Sequence, residues 1–346
     1  MQDRTWTTRL GERIATGALG LGCAPLGNMY RPIPEEQAQA VLDAALAAGI
    51  RFFDTAPLYG LGLAEERLGA AIARHGRDRL LLSTKVGRLL EDCAADEVPP
   101  DLIFRDVPPR RFRYDYSYDG VMRSLEASCA RLGTDRIDIL LVHDVDAFTH
   151  GSADAADARI RELMTGGYRA LERLRADGTV RAIGAGVNEW EICERLAREG
   201  DFDGFLLAGR YTLLEQGALD SFLPLCSARG IGIVLGGPYN SGILATGAVA
   251  GATYNYGPAP EPVLARVRRL QAVCARHGVP LAHAALQFVL AHPAIVSVIA
   301  GAARPDEVRQ TVAAAAAPLP AALWTELKAE GLLRTDAPVP TPALPS

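Results

Sequence analysis

Short apolar runs alternate along the chain with amphipathic stretches of ten or more residues, the pattern of parallel strands joined by crossover helices. Eight runs read as strands: GALGLGC (17–23), IRFFD (50–54), RLLLSTK (79–85), RIDILLVH (136–143), VRAIGAGV (180–187), GFLLAG (204–209), GIGIVLG (230–236) and AIVSVIAG (294–301). Helical periodicity falls between them at 35–48, 63–74, 117–131, 167–176, 189–198, 217–228, 261–276 and 306–315. Gly49, Gly133, Gly178, Gly230 and Gly278 each follow such a stretch, where a left-handed C-cap is wanted. Eight strand–helix units predict an α/β fold, a single closed (β/α)8 TIM barrel. Residues 1–16 read as a plug or hairpin at the barrel bottom. The barrel is assigned to 1–333, and 334–346, with Pro338, Pro340, Pro342 and Pro345, reads as a frayed tail.

Two connections are long, 86–116 after the third run and 237–260 after the seventh, and both start at strand C-termini, where barrels place their chemistry. A doubly wound dinucleotide sheet is the rival fold. It wants G-x-G-x-x-G after its first strand, and GLGCAP (20–25), GLGLAE (60–65) and GAGVNE (184–189) all leave that fingerprint incomplete.

Composition narrows the function classes. The 346 residues are 49% hydrophobic and 22% charged, enough for a large core, which excludes disorder. A net charge of -5 without a basic stripe argues against a nucleic-acid partner. No run of 18 apolar residues and no apolar leader in the first twenty residues appear, so a membrane partner is not expected and a cytoplasmic location is. The six cysteines lie far apart, which reads as reduced thiols and offers no C-x-x-C metal knuckle; no metal site is expected.

Polar groups at strand C-termini carry the candidate chemistry. The second run ends in Asp54, with Tyr59 five residues on; the third ends in Lys85 and the fourth in His143. Each has a bland reading alone: a turn cap, a packing tyrosine, a satisfied core histidine. Lys85, however, follows a mostly apolar run and needs a buried partner, which Asp54 can be. Neighbouring strands lie about 4.8 Å apart, so the four groups can meet. A phenol titrates near 10. A cation about 4 Å away at an effective dielectric near 20 is worth roughly 4 kcal/mol, so Lys85 is expected to bring Tyr59 down into the working range. Such a set transfers a proton at a carbonyl or carbinol oxygen. A redox reaction then requires a nicotinamide cofactor, because no residue supplies a hydride.

Asp54, Tyr59, Lys85 and His143, in that order at the ends of runs two to four, resemble the catalytic tetrad of the aldo-keto reductases. Segments such as PLGNMYRPI (25–33), FFDTAPLYGLGLAEERLG (52–69), STKVGRLL (83–90), VHD (142–144), AGRYTLLEQ (208–216) and AALWTEL (321–327) are similar to the branch of aldose 1-dehydrogenases, close to pyridoxal dehydrogenase. The resemblance implies a nicotinamide dinucleotide lying across the C-terminal face of the barrel. It implies that Gly22, Cys23 and Asp54 border the nicotinamide ribose and that Asn188 binds the carboxamide. Tyr211 is counted with the cofactor contacts. Gly236, Pro238, Asn240 and Ser241 would wrap the pyrophosphate and nicotinamide side, with Gly301, Arg304 and Glu307 near the adenosine.

Departures from the family pattern bear on the cofactor. Val187-Asn188 stands where many members have Ser-Asn, and Ala208 where a Gln contacts the carboxamide. Gly301-Ala302 replaces Lys-Ser, leaving Arg304 as the one candidate to meet a 2'-phosphate, so NAD is favoured over NADP. The resulting expectation is an NAD(P)-dependent dehydrogenase that oxidises an aldose hemiacetal at C1 to the lactone, with Tyr59 as general base and a small-molecule substrate. Its rivals are an NADP(H)-dependent aldehyde reductase or pyridoxal dehydrogenase with the same machinery, and a non-catalytic dinucleotide-binding barrel. A metal-dependent hydrolase barrel would want H-x-H, which does not occur. Substrate choice is assigned to the long connections, where Arg88, Arg110, Arg113, Tyr114 and Tyr118 either line the pocket or face water. The tetrad comes from the first half of the chain and the cofactor contacts mainly from the second, which favours one barrel over two domains.

Overall fold

In a computed structural model describing residues 4–341, all eight predicted runs become strands of one closed parallel barrel. In chain order these are β1 (Leu19–Gly22), β2 (Phe52–Asp54), β3 (Leu81–Val86), β4 (Ile139–His143), β5 (Ala182–Val187), β6 (Gly204–Ala208), β7 (Gly232–Gly236) and β8 (Ile295–Gly301). Each pairs with its chain neighbour, and β8 closes on β1. The five glycines expected to end helices all have positive φ, between 62° and 85°.

The plug is real. Thr5–Thr7 and Arg13–Ala15 pair as an antiparallel hairpin, and Trp6 and Ile14 enter the barrel bottom against Phe52, Leu81, Ile139, Leu141, Leu206, Val234 and Ile299. The Trp6 indole donates to the Asp203 carbonyl at 3.2 Å. Two strand glycines make room for it: a Cβ on Gly204 would lie 2.5 Å from Trp6 Cζ2, and one on Gly232 2.5 Å from its Nε1.

Other parts depart from the sequence reading. The connection 86–116 contains a hairpin, Arg88–Asp92 against Arg110–Tyr114. A third long connection follows β4, with helices Ala147–His150 and Ala153–Glu162. Helices Leu281–Leu290 and Ala321–Ala329 add to the predicted set. Nor do residues 334–341 fray. Leu332, Leu333 and Ala337 are buried, the Arg334 amide donates to Gln216 Oε1 at 2.8 Å, and Lys328 Nζ donates to the Ala337 carbonyl at 2.8 Å. Pro338 and Pro340 belong to this stretch; Pro342 and Pro345 lie outside the described residues. All six cysteines are free, four of them buried, and among the described residues no helix is long and apolar enough to cross a membrane.

Gly232→Ala should cost about 1–3 kcal/mol by overpacking the Trp6 ring. The cost should shrink when Trp6→Leu is introduced as well. Urea unfolding of the two single variants and the double variant checks this; strictly additive costs would mean that the glycine does not serve the tryptophan.

Candidate active site

The barrel register itself assembles the site. Gly301, Gly22, Asp54 and Ser83 are Cα partners across β8, β1, β2 and β3, a single row at the C-terminal edge. Ser83 and Lys85, two apart on β3, share the inward face. Lys85 Nζ donates to Asp54 Oδ2 at 2.7 Å, to the Thr55 carbonyl at 2.9 Å and to the Tyr59 hydroxyl at 3.1 Å. All three ammonium protons thus have acceptors, although the side chain is only 1% exposed. Ser83 Oγ donates to the other Asp54 oxygen at 2.6 Å. Room for the Lys85 stem comes from β5, where a Cβ on Gly186 would lie 3.2 Å from its Cε. The glycines of GAGVNE therefore serve barrel packing rather than a phosphate loop.

His143, at the end of β4, sets its ring edge-on to Tyr59 with centroids 5.9 Å apart. Its Nδ1 is buried without a partner, and Nε2 faces Asp144 Oδ2 at 3.3 Å. That oxygen already accepts from Arg88 Nη1 at 2.8 Å, so the facing nitrogen carries the proton. Burial, then the cations Arg88 and Lys85, push the His143 pKa well below 6.5, and the ring is a neutral donor. Burial opposes the charge on Lys85, but Asp54 and the Tyr59 oxygen outweigh it and hold the ammonium protonated.

Tyr59 overturns one expectation. Its pKa is pushed up to about 12, because burial outweighs the pull of Lys85 and Asp54 works against that pull. Lys85 limits the rise but does not bring the phenol to neutrality unaided.

Beside this cluster three adjacent strand ends carry no side chain: Gly236 on β7, Gly301 on β8 and Gly22 on β1. Gly301 and Gly22 continue the register row to Asp54, while Gly236 pairs with Ile299; a Cβ on Gly301 would lie 2.9 Å from Pro25 Cγ and one on Gly236 3.2 Å from Leu206 Cδ2. Pro238 is buried at the start of the loop after β7. Ser241, at φ 57°, accepts from the Tyr256 amide at 3.0 Å, and Asn240, at φ 45°, is buried, with its Nδ2 donating to the Gly209 carbonyl at 2.9 Å and its Oδ1 accepting from Thr212. The Asn240 side chain ties two loops together and is not free to hold a ligand. Asn188 Oδ1 accepts from the Tyr256 hydroxyl at 3.0 Å.

Three further candidates need correction. Tyr211 has no exposed surface, and its ring packs against Phe288 and His292. The Cys23 side chain is equally buried, leaving only its backbone to border a ribose. Arg304 pairs with Asp306 at 3.3 Å and Glu307 at 3.0 Å, while Glu307 Oε2 caps the helix Pro305–Ala316 by accepting from the Ala303 amide at 2.7 Å.

Sequence reasoning missed Ser83, Asp144 and Tyr256. Ser83 was readable from the two-residue period of β3, and Asp144 stands in the VHD segment directly after His143. Tyr256, in the second long connection, has no local signal. Of the pocket candidates only Arg88 reaches the site. Arg110 pairs with Glu66, Arg113 with Glu91 and Asp115, Tyr114 packs on His150, and the Tyr118 hydroxyl accepts from Arg173.

Fold and site together define a (β/α)8 barrel whose buried Asp54, Tyr59, Lys85 and His143 suit proton transfer at a carbon–oxygen centre. A family model described as Aldo/keto reductase family matches residues 18–330, and the chain belongs to that family. It is 43% identical over 335 residues to pyridoxal 4-dehydrogenase of Microbacterium luteolum, covering 92% of this chain and 95% of that one. It is 40% identical over 326 residues to D-threo-aldose 1-dehydrogenase of a Pseudomonas species, covering 93% and 96%. Among solved structures, the holo form of an aldo-keto reductase from Bacillus halodurans superposes with a TM-score of 0.72 at 24% identity, covering 97% of this chain and 98% of that one. The protein is an NAD(P)-dependent oxidoreductase.

Because His143 is neutral when folded and titrates near 6.5 when unfolded, the unfolded chain binds one more proton at lower pH. Stability should therefore fall by up to about 1.4 kcal/mol per pH unit below that point on its account. Chemical denaturation of wild type and His143→Gln between pH 7.5 and 5 checks this. The difference should move in favour of Gln as pH drops, since His150 and His292 titrate in both; a pH-independent difference would refute it.

Proposed function

We propose that the protein oxidises a cyclic hemiacetal at its carbinol carbon to the lactone with NAD, Tyr59 acting as general base. The observation that carries this is Lys85 bridging Asp54 and the Tyr59 hydroxyl inside the barrel, at 2.7 and 3.1 Å, with the neutral His143 ring edge-on to Tyr59. A bound nicotinamide dinucleotide supplies the hydride acceptor and, when oxidised, a positive charge. Tyr59 takes the carbinol O–H proton as the C–H hydride departs, and the C=O bond of the lactone forms. Lys85 stabilises the phenolate form of Tyr59 that accepts this proton and becomes the neutral phenol, Asp54 and Ser83 fix Lys85, and His143 donates from Nε2 to the reacting oxygen.

The hemiacetal reading unites the two relatives. An aldose closes on one of its own hydroxyls, and pyridoxal closes its aldehyde on the neighbouring hydroxymethyl group, so one reaction serves both names. Preference for NAD is supported by Arg304 and Glu307. The guanidinium is already engaged by two carboxylates, and the helix N-terminus is occupied by the Glu307 carboxylate, so a 2'-phosphate would meet negative charge.

Tyr59→Phe should lower turnover by at least about a thousandfold and leave dinucleotide affinity within about twofold, read by fluorescence titration; a near wild-type rate would sink the mechanism. With Tyr59 pushed up to about 12 in the free protein, the base form grows tenfold per pH unit. The oxidation rate should accordingly climb between pH 6 and 9, and a rate falling over that range contradicts Tyr59 as the base. A panel of D-arabinose, L-fucose, D-galactose, L-galactose and pyridoxal with NAD and NADP in parallel, with lactone identified as product, tests substrate and cofactor. At least a tenfold preference for NAD is expected; the same preference for NADP would overturn the cofactor assignment.

A further inference from the structure

Asp144 is not one of the four residues of the tetrad, yet it stands at the reacting centre. Its backbone is left-handed, at φ 49°, a conformation that turns the side chain directly after His143 back beside the imidazole. Three contacts fix it there. Tyr116 places its hydroxyl 2.8 Å from both the His143 and Asp144 carbonyls, His150 Nε2 lies 3.0 Å from the Asp144 carbonyl, and Arg88 Nη1 donates to Oδ2 at 2.8 Å. Arg88 is itself buried beneath Phe112 and Tyr114, its guanidinium carbon 5.6 and 5.2 Å from their ring centroids. Pinning a left-handed residue with buried Arg, Tyr and His partners is a large investment for a loop residue without a task.

We propose that Asp144 is a substrate-specificity residue, whose carboxylate accepts a hydrogen bond from a substrate hydroxyl one or two carbons from the reacting carbinol. The inference rests on the reading that the reacting oxygen lies between the Tyr59 hydroxyl and His143 Nε2. The only solvent-reachable nitrogen of that ring is Nε2, because Nδ1 is sealed. An oxygen bound to Nε2 at about 2.9 Å is then next to Asp144 Oδ2, itself 3.3 Å from the same nitrogen. A neighbouring hydroxyl on the same substrate falls within hydrogen-bonding reach of the carboxylate. Arg88 spends one donor on Asp144 and keeps the carboxylate in place.

The alternative role for Asp144 is to orient His143 alone, and the two roles separate by experiment. Whichever hemiacetal the protein oxidises is paired with its analogue lacking the hydroxyl: 2-deoxygalactose for galactose, or 3-deoxypyridoxal for pyridoxal. Glyceraldehyde and 3-hydroxypropanal form a third pair, assayed in the reducing direction. For each pair the ratio of kcat/KM values is measured with wild type and with Asp144→Asn, a residue that suits the left-handed φ and preserves the fold. Wild type should discriminate against the deoxy partner by at least about a hundredfold, and Asp144→Asn should cut that ratio at least tenfold. A wild-type ratio near one, or equal slowing of both partners with the ratio unchanged, overturns the proposal. Collapse of the glyceraldehyde ratio without oxidation of any hemiacetal would leave Asp144 in this role and refute the hemiacetal reading instead.

Discussion

The buried Lys85–Asp54 pair is the interaction on which the site depends. Both side chains are at most 2% exposed, and neither charge would survive in that position alone. A buried ion pair is tolerable only when its remaining donors and acceptors are filled, and here they are. The Thr55 carbonyl and Tyr59 take the other ammonium protons, and Ser83 fills the second carboxylate oxygen. The demand propagates outward. Lys85 needs a tunnel for its stem, so Gly186 has no side chain; Asp54 needs Ser83 opposite, so the register of β2 on β3 is fixed. The geometry at Tyr59 is thus a by-product of satisfying a cation inside a barrel.

That pair also explains why the simple electrostatic expectation for Tyr59 fails. A lone cation at contact distance would lower the phenol pKa, but Lys85 arrives with Asp54, whose charge works against it at the hydroxyl. Burial then decides the direction, upward to about 12. The arrangement favours the protonated phenol near neutrality. In the reaction proposed above, the positive charge of an oxidised nicotinamide beside it would add to the pull of Lys85.

The eight strands were legible because parallel barrel strands are buried on both faces and read as continuous apolar runs. Lys85 and Asp54 were legible as charges at the ends of such runs. What escaped notice lacked a period. Helix Leu281–Leu290, LAHAALQFVL, is apolar on nearly every side, so no amphipathic stripe marks it. The hairpin Arg88–Asp92 with Arg110–Tyr114 is mostly polar and resembles a loop, although its ion pairs and Arg88 shape the site. Tyr211 failed in the opposite sense: its place in AGRYTLLEQ suggested the groove, while its ring sits in the layer between barrel and helix. Residues whose roles are set by a turn of backbone, such as Asp144 with its positive φ, give no signal in composition or spacing.

The cofactor side obeys a different economy from the catalytic side. Where the tetrad is crowded with satisfied polar groups, the neighbouring ends of β7, β8 and β1 are glycines, so no side chain there offers a charge to a ligand. Past Gly301 the first cationic side chain is Arg304, already engaged by Asp306 and Glu307. A phosphate there would have to displace a carboxylate from a guanidinium and lie beside a second one capping the helix, whereas a ribose hydroxyl can accept from the first and donate to the second. On the NAD assignment proposed above, the four residues from Arg304 to Glu307 that begin a helix would also set cofactor choice, making helix capping and cofactor choice one constraint.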